Sequence, residues 1–157
     1  MALKVYTAQQ GLEKGRAYCA YQERSHSEVR NKLYQWGLHK NEVELVLTYL
    51  IEEGMLNEER FARTFARGKF RLKQWGRIKI GLALKQKGVS NYAIQAGLSE
   101  IDEDEYLKTL KKIIRKKTTA WKTLAPLPLK YKVFQYCLGR GYEKGLITSA
   151  LQMDDTD

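Results

Sequence analysis

Three residue types are scarce in this chain of 157 residues, and each scarcity removes a class of protein. The only cysteines, Cys19 and Cys137, are too few for a disulfide scaffold and lack a Cys-x-x-Cys spacing, so they fit a reducing compartment and read as small core residues. The only prolines, Pro126 and Pro128, leave the chain nearly free of breaks, whereas strand-rich folds carry turn signals every 8 to 12 residues or so; long helices are expected. The only histidines, His26 and His39, are not at ligand spacing with each other or with a cysteine. Long apolar runs are missing too. No segment approaches the about 20 apolar residues of a membrane helix, and the opening Met-Ala-Leu-Lys-Val-Tyr-Thr-Ala lacks the apolar stretch of a signal peptide, so a cytoplasmic protein without membrane contact is expected.

What is present describes a globular, basic chain. With 43% apolar and 29% charged residues it can build a core and keep a wet surface. Lys and Arg number 28 against 18 Asp and Glu, a formal charge of +10. Such an excess favours polyanionic partners.

The chain repeats itself. Gly37, Gly88 and Gly141 recur at intervals of fifty-one and fifty-three residues, each between two short amphipathic segments. Eight residues before them stand Val29, Ile80 and Val133, and four before, Leu33, Leu84 and Cys137. After them come Leu38, Val89 and Tyr142, then Val43, Ile94 and Ile147, then Leu47, Leu98 and Leu151. Spacing by four puts these residues on one face of two helices, and the glycine occupies the place after a helix end where a left-handed conformation is needed. A longer helix fits ahead of each pair. The first spans about Thr7 to Gln22, before a Ser25/Glu28 capping box; the second starts at Asn57; the third starts at an Asp102/Glu105 capping box and runs through Trp121. The expected fold is all-α: three tandem three-helix repeats, at 1–56, 57–101 and 102–153, forming an elongated, curved helical array with a frayed tail at 154–157. Residues Thr118 to Pro128 read as a linker.

Charge is placed unevenly on this frame. At about 100° per residue, Arg60, Arg63, Arg67 and Arg71 share an arc of roughly 80°, beside an apolar stripe of Phe61, Phe65 and Leu72. Lys69, Lys73, Arg77 and Lys79 add to it, and no Asp or Glu lies between Arg60 and Ile80. After Asp102, Lys108, Lys111, Lys112, Arg115 and Lys116 oppose Leu107, Leu110, Ile113, Ile114 and Trp121. One such helix can be a solvated face and nothing more. Two of them, both nearly free of acid on the basic side, point to phosphates, which Arg and Lys bind with release of counterions. Trp36 and Trp75, at helix ends, are expected to pack across helix junctions rather than stack on bases.

No catalytic constellation is visible. Gly76 to Gly81 lacks the Gly-Lys-Ser/Thr ending of a phosphate loop, His39 reads as a helix-start residue, and the acidic clusters sit at helix ends where the helix dipole explains them. A noncatalytic protein is expected, with no catalytic residue, no cofactor and no metal ligand.

Three segments resemble the RecX family of bacterial regulatory proteins. Glu23-Arg24-Ser25-His26-Ser27-Glu28-Val29-Arg30-Asn31-Lys32-Leu33 is similar to that family's Arg-Ser-x-x-Glu-Leu-x-x-Lys-Leu opening. Glu53 to Ala62 matches Gly-x-Leu-Asn/Asp-Asp/Glu-x-Arg-Phe-Ala, and Gly76 to Val89 resembles Gly-x-x-x-Ile-x-x-Glu-Leu-x-x-Lys-Gly-Ile, with Ala83 in place of the family's Glu. The resemblance runs from about Tyr18 to Leu151. It implies a three-repeat protein of DNA repair that lies along a RecA filament on single-stranded DNA and inhibits its ATPase and strand exchange. It also implies RecA as partner; direct DNA contact and a monomeric state are further expectations. The runner-up reading is an independent nucleic-acid-binding helical protein acting through its basic faces.

Overall fold

The computed structural model describes residues 6–154, and among them it holds nine α-helices. They are α1 (Ala8–Tyr21), α2 (His26–Gln35), α3 (Lys40–Glu52), α4 (Glu58–Lys73), α5 (Arg77–Gln86), α6 (Asn91–Leu98), α7 (Glu103–Ala120), α8 (Pro126–Gly139) and α9 (Lys144–Asp154). The all-α repeat expected from the glycine columns is the fold observed. Asp154 closes α9, and the rest of the expected tail lies outside the described residues.

The turns follow their chemistry. Gly37, Gly88 and Gly141 have φ of 88°, 77° and 98°, the left-handed region that a Cβ disfavours. Gly54 joins them at 74°, and so does Gln74 at 56°, a position no pattern announces. Four of the five apolar columns are buried at all three members; in the fifth, Leu47 is buried while Leu98 and Leu151 are half-buried.

Helix starts depart from expectation in detail. Ser25 Oγ accepts from Glu28 N–H at 3.1 Å and Asp102 Oδ2 from Glu105 N–H at 3.0 Å, so each expected box makes its first half. Glu28 turns away to accept from Lys87 Nζ at 3.0 Å. A full reciprocal box is at Thr7 and Gln10. The expected linker is shorter than the sequence suggests: Thr118 to Ala120 belong to α7, and Pro126 begins α8. Proline suits that place because its missing N–H has no partner in a first turn.

Chain packing defines two compact units, one made of residues to Phe65 with Leu84–Gly97, the other of Ala66–Ala83 with Leu98 onward. In the first, α1, α2 and α3 enclose Leu12, Cys19, Val29, Leu33, Val43 and Leu50, and Tyr18 meets Trp36 edge-on at 6.2 Å. In the second, α7, α8 and α9 pack together around Leu110, Ile114, Val133, Cys137, Tyr142 and Ile147. Both cysteines are buried and free, as their scarcity suggested.

Candidate functional site

The expected cationic residues do not form one class. Arg60 Nε lies 2.5 Å from Glu23 Oε1, and its Nη2 also donates to the Met55 carbonyl. Arg63 pairs with Glu59 one turn back at 2.8 Å, and Arg67 Nη1 stands 3.6 Å from Glu100. Three arginines of the stripe therefore face carboxylates. The acid-free interval in the sequence is filled from elsewhere in the chain.

Arg77 is committed most deeply. Its Nη2 donates to Glu143 Oε2 at 2.5 Å, its Nη1 to Glu103 Oε2 at 2.8 Å, and its guanidinium carbon sits 4.1 Å from the centre of the Tyr106 ring. The Tyr106 hydroxyl donates to Glu143 and accepts from Arg77 N–H. Burial pulls the Arg77 pKa down, but the two carboxylates outweigh it and raise it. Burial first, then the bond to Glu143, holds the Tyr106 phenol far above its ordinary range. This knot ties the start of α5 to the turn before α9. The Tyr142 hydroxyl donates to the Gln74 carbonyl at 2.9 Å, and Arg140 reaches the Lys73 carbonyl. Glu143 is the residue sequence reading missed. Its one signal is position: it stands two residues after Gly141, where His39 and Ser90 stand in the other turns.

The remaining cations are differently placed. On α7, Lys108, Lys112, Arg115 and Lys116 are exposed, Lys111 is half-buried, and Tyr106, Leu110, Ile113 and Ile114 face inward. None of these five cations has a hydrogen-bond or ion-pair partner among the described residues. The acids of α7 are Glu103, Asp104 and Glu105, all in its first turn, where the positive end of the helix dipole favours them. Arg71 and Lys73, in the last turn of α4, are exposed. Phe70, Arg71 and Gln74 join Glu105, Lys108 and Thr109 around a depression of about 300 Å³. Lys69 and Lys79 stack on Trp75 from 4.8 and 4.6 Å. That ring carries two ammonium groups at the junction of α4 and α5.

Seven of the twelve expected cations, namely Arg71, Lys73, Lys108, Lys111, Lys112, Arg115 and Lys116, thus belong to one unit and have no ion-pair partner among the described residues. An unpaired surface cation retains its field and its counterions, which is what a polyanion displaces. No group of three or more His, Cys, Asp or Glu among the described residues could hold a metal ion, and no described helix is long and apolar enough to cross a membrane.

The family model described as RecX, first three-helix domain, matches residues 12–50, and RecX, second three-helix domain, matches residues 57–98. The regulatory protein RecX of Clostridium perfringens strain 13 is 32% identical over 122 residues, which is 76% of this chain and 57% of that one. The regulatory protein RecX of Lactococcus lactis subsp. cremoris SK11 is 28% identical over 145 residues, 90% of this chain and 54% of the relative. The chain therefore spans little more than half the length of these curated relatives. The crystal structure of RecX from Lactobacillus salivarius shares the fold, with a TM-score of 0.88, 20% identity, and coverage of 96% of this chain and 97% of that one.

Proposed function

The chain belongs to the RecX family, and from that premise we propose that it is a noncatalytic regulator of the RecA recombinase, seated on the RecA filament in the cytoplasm and lowering its ATPase and strand-exchange activity. The observation that carries this reading is the set of uncompensated cations on α7 and the end of α4. A nucleoprotein filament presents phosphates and carboxylates, and both complement a face on which Lys and Arg outnumber acids. Arg60, Arg63 and Arg67 contribute less, because a carboxylate already stands beside each.

The test is the single-strand-dependent ATPase of RecA at fixed salt, with and without this protein. Inhibition is expected at stoichiometric levels. The triple reversal Lys108→Glu, Lys112→Glu, Arg115→Glu should remove it, while Arg63→Glu should weaken it less. An ATPase unchanged by the wild-type protein sinks the reading.

The same uncompensated face favours a second reading, an independent nucleic-acid binder. Each phosphate contact adds about −0.7 to the log-log salt slope on single strands and about −0.9 on duplex DNA. Steep salt dependence on naked DNA, with no gain in affinity when RecA is present, would select this reading over the first.

A further inference from the structure

From the body of α7 through the whole of α8, residues 106–142 contain no Asp or Glu. The acid-free interval on α4 and α5 is filled from elsewhere in the chain, by Glu100 on Arg67 and by Glu103 and Glu143 on Arg77. At the far end of α7 the outcome differs. Lys117 and Lys132 have no ion-pair partner among the described residues, and both lie against aromatic rings instead.

Trp121 is the centre of this group. It belongs by sequence to the apolar side of α7, and it stands half-buried at the end of that helix. The Lys132 ammonium is 4.3 Å from the centre of its ring and the Lys117 ammonium 5.4 Å; Lys117 is also 4.5 Å from the Tyr136 ring. Tyr136 meets Trp121 edge-on, with ring centres 5.9 Å apart and planes at 78°. Two like charges thus share one indole. The negative face of the ring offsets part of their repulsion, and an anion from outside offsets more of it.

The group lies on the flank of α8 that turns away from α9. Leu127, Tyr131 and Phe134 line a concavity together with Thr148 and Leu151 of α9. At about 100° per residue, Lys132 and Tyr136 lie about 140° and 180° around α8 from Leu127.

Chemistry selects the partner. Lysines alone suit any polyanion, whether it carries carboxylates or phosphates. An indole between two lysines suits a polymer in which flat rings alternate with negative charges, and that is a nucleic-acid strand with its bases unstacked. Lys132 is exposed, so its ammonium can swing from the ring to a phosphate while a base takes its place. The exchange is favourable, because a base stacked on an aromatic ring contributes more than an exposed ammonium above it.

We propose that Lys117, Trp121, Lys132 and Tyr136 form a base-stacking subsite for single-stranded nucleic acid, with one base on the Trp121 indole and the phosphates beside it on the two lysines. The subsite deepens the reading of α7 as a polyanion-binding face and rests on it. The probes are a labelled oligothymidylate and an abasic oligomer with the same number of phosphates, each titrated with the full chain at fixed salt and followed by anisotropy. The oligothymidylate binds at least about fivefold more tightly, the lower bound for one stacked base. Trp121→Leu removes that preference, keeps the affinity for the abasic oligomer and leaves circular dichroism unchanged. Lys117→Glu with Lys132→Glu weakens both oligomers about tenfold or more. If Trp121→Leu does not fold, a Trp36→Phe, Trp75→Phe chain decides with Trp121 as its sole emitter: oligothymidylate quenches the fluorescence and the abasic oligomer does not.

Equal binding of the two oligomers, a preference that survives Trp121→Leu, indifference to the lysine pair, or unquenched Trp121 emission overturns the subsite and leaves the polyanion reading standing. Oligoglutamate that competes as well as oligothymidylate would assign the lysines to an acidic protein and overturns the subsite too. Binding of neither oligomer removes both readings of naked nucleic acid at once, while inhibition of the RecA ATPase is measured separately.

Discussion

In the unit that holds α1 to α3, eleven Lys and Arg stand against nine Asp and Glu; in the unit that holds α7 to α9, seventeen stand against nine. The difference in use is larger than the difference in number. The first unit spends its carboxylates on cations, with Arg16 on Glu53, Arg30 on Glu44, Arg60 on Glu23, Arg63 on Glu59 and Lys87 on Glu28. The second gathers Glu103 and Glu143 on the single Arg77 and gives Glu100 to Arg67. The exposed cations of α7 are left without carboxylates. The first unit spreads its carboxylates over five separate cations, while the second concentrates them on Arg77 and Arg67 and leaves a basic face on α7.

The largest expected break in this comparison concerns two glycines that look alike in sequence. A Cβ at Gly141 would fall on the Cβ of Lys79, whereas one at Gly88 has nothing within 4 Å. Gly141→Ala should cost about 4 kcal/mol, because strain at φ 98° adds to a backbone collision. Gly88→Ala should cost only the left-handed strain of about 1–2 kcal/mol. Urea unfolding of both variants checks this, and equal losses would erase the distinction between the two turns.

A smaller contrast lies in the ion pairs. Glu143→Ala leaves the Arg77 guanidinium and the Tyr106 hydroxyl short of a half-buried partner and should cost about 2 kcal/mol. Glu53→Ala removes a bidentate partner of Arg16 at the surface and should leave the denaturant midpoint almost unmoved. A loss from Glu53→Ala matching that from Glu143→Ala would show that burial does not separate the two pairs.

The smallest effect appears only in alkali. Burial raises the phenols of Tyr106 and Tyr142 and pushes the Cys137 thiol up to about 11, and all three belong to the second unit. Each keeps its proton longer when folded than when unfolded. Their contribution is therefore complete below the unfolded values, near 9 for the thiol and 10 for the phenols, and is lost as pH rises toward the folded ones. Stability should decline above about pH 9–10, with tyrosinate absorbance rising as helix is lost. Titration of Tyr106 and Tyr142 at ordinary phenol pH, with the helices intact, would contradict their burial.

Much of this was legible beforehand because it is local. A glycine after a helix end, an apolar residue every fourth position and an oxygen-bearing cap each act within a few residues, so the turns at Gly37, Gly88 and Gly141, the buried columns and the caps at Ser25, Asn57 and Asp102 could be read in order. The outward lysines of α7 were legible for the same reason. The pairing of Arg60, Arg67 and Arg77 was not. Their carboxylates lie 37, 33 and 66 residues away, and no periodicity carries that information. Gln74 was equally hidden, since its left-handed backbone accompanies a hydrogen bond from Tyr142 rather than any preference of glutamine.

Helix periodicity, glycine conformation and net charge are properties of neighbours along the chain, and they account for the repeated helices of the described residues and for the crowding of cations in the second unit. Which cations meet a carboxylate was settled by packing between distant segments. That outcome depends on which distant carboxylate arrives beside a side chain, and folding alone brings them together.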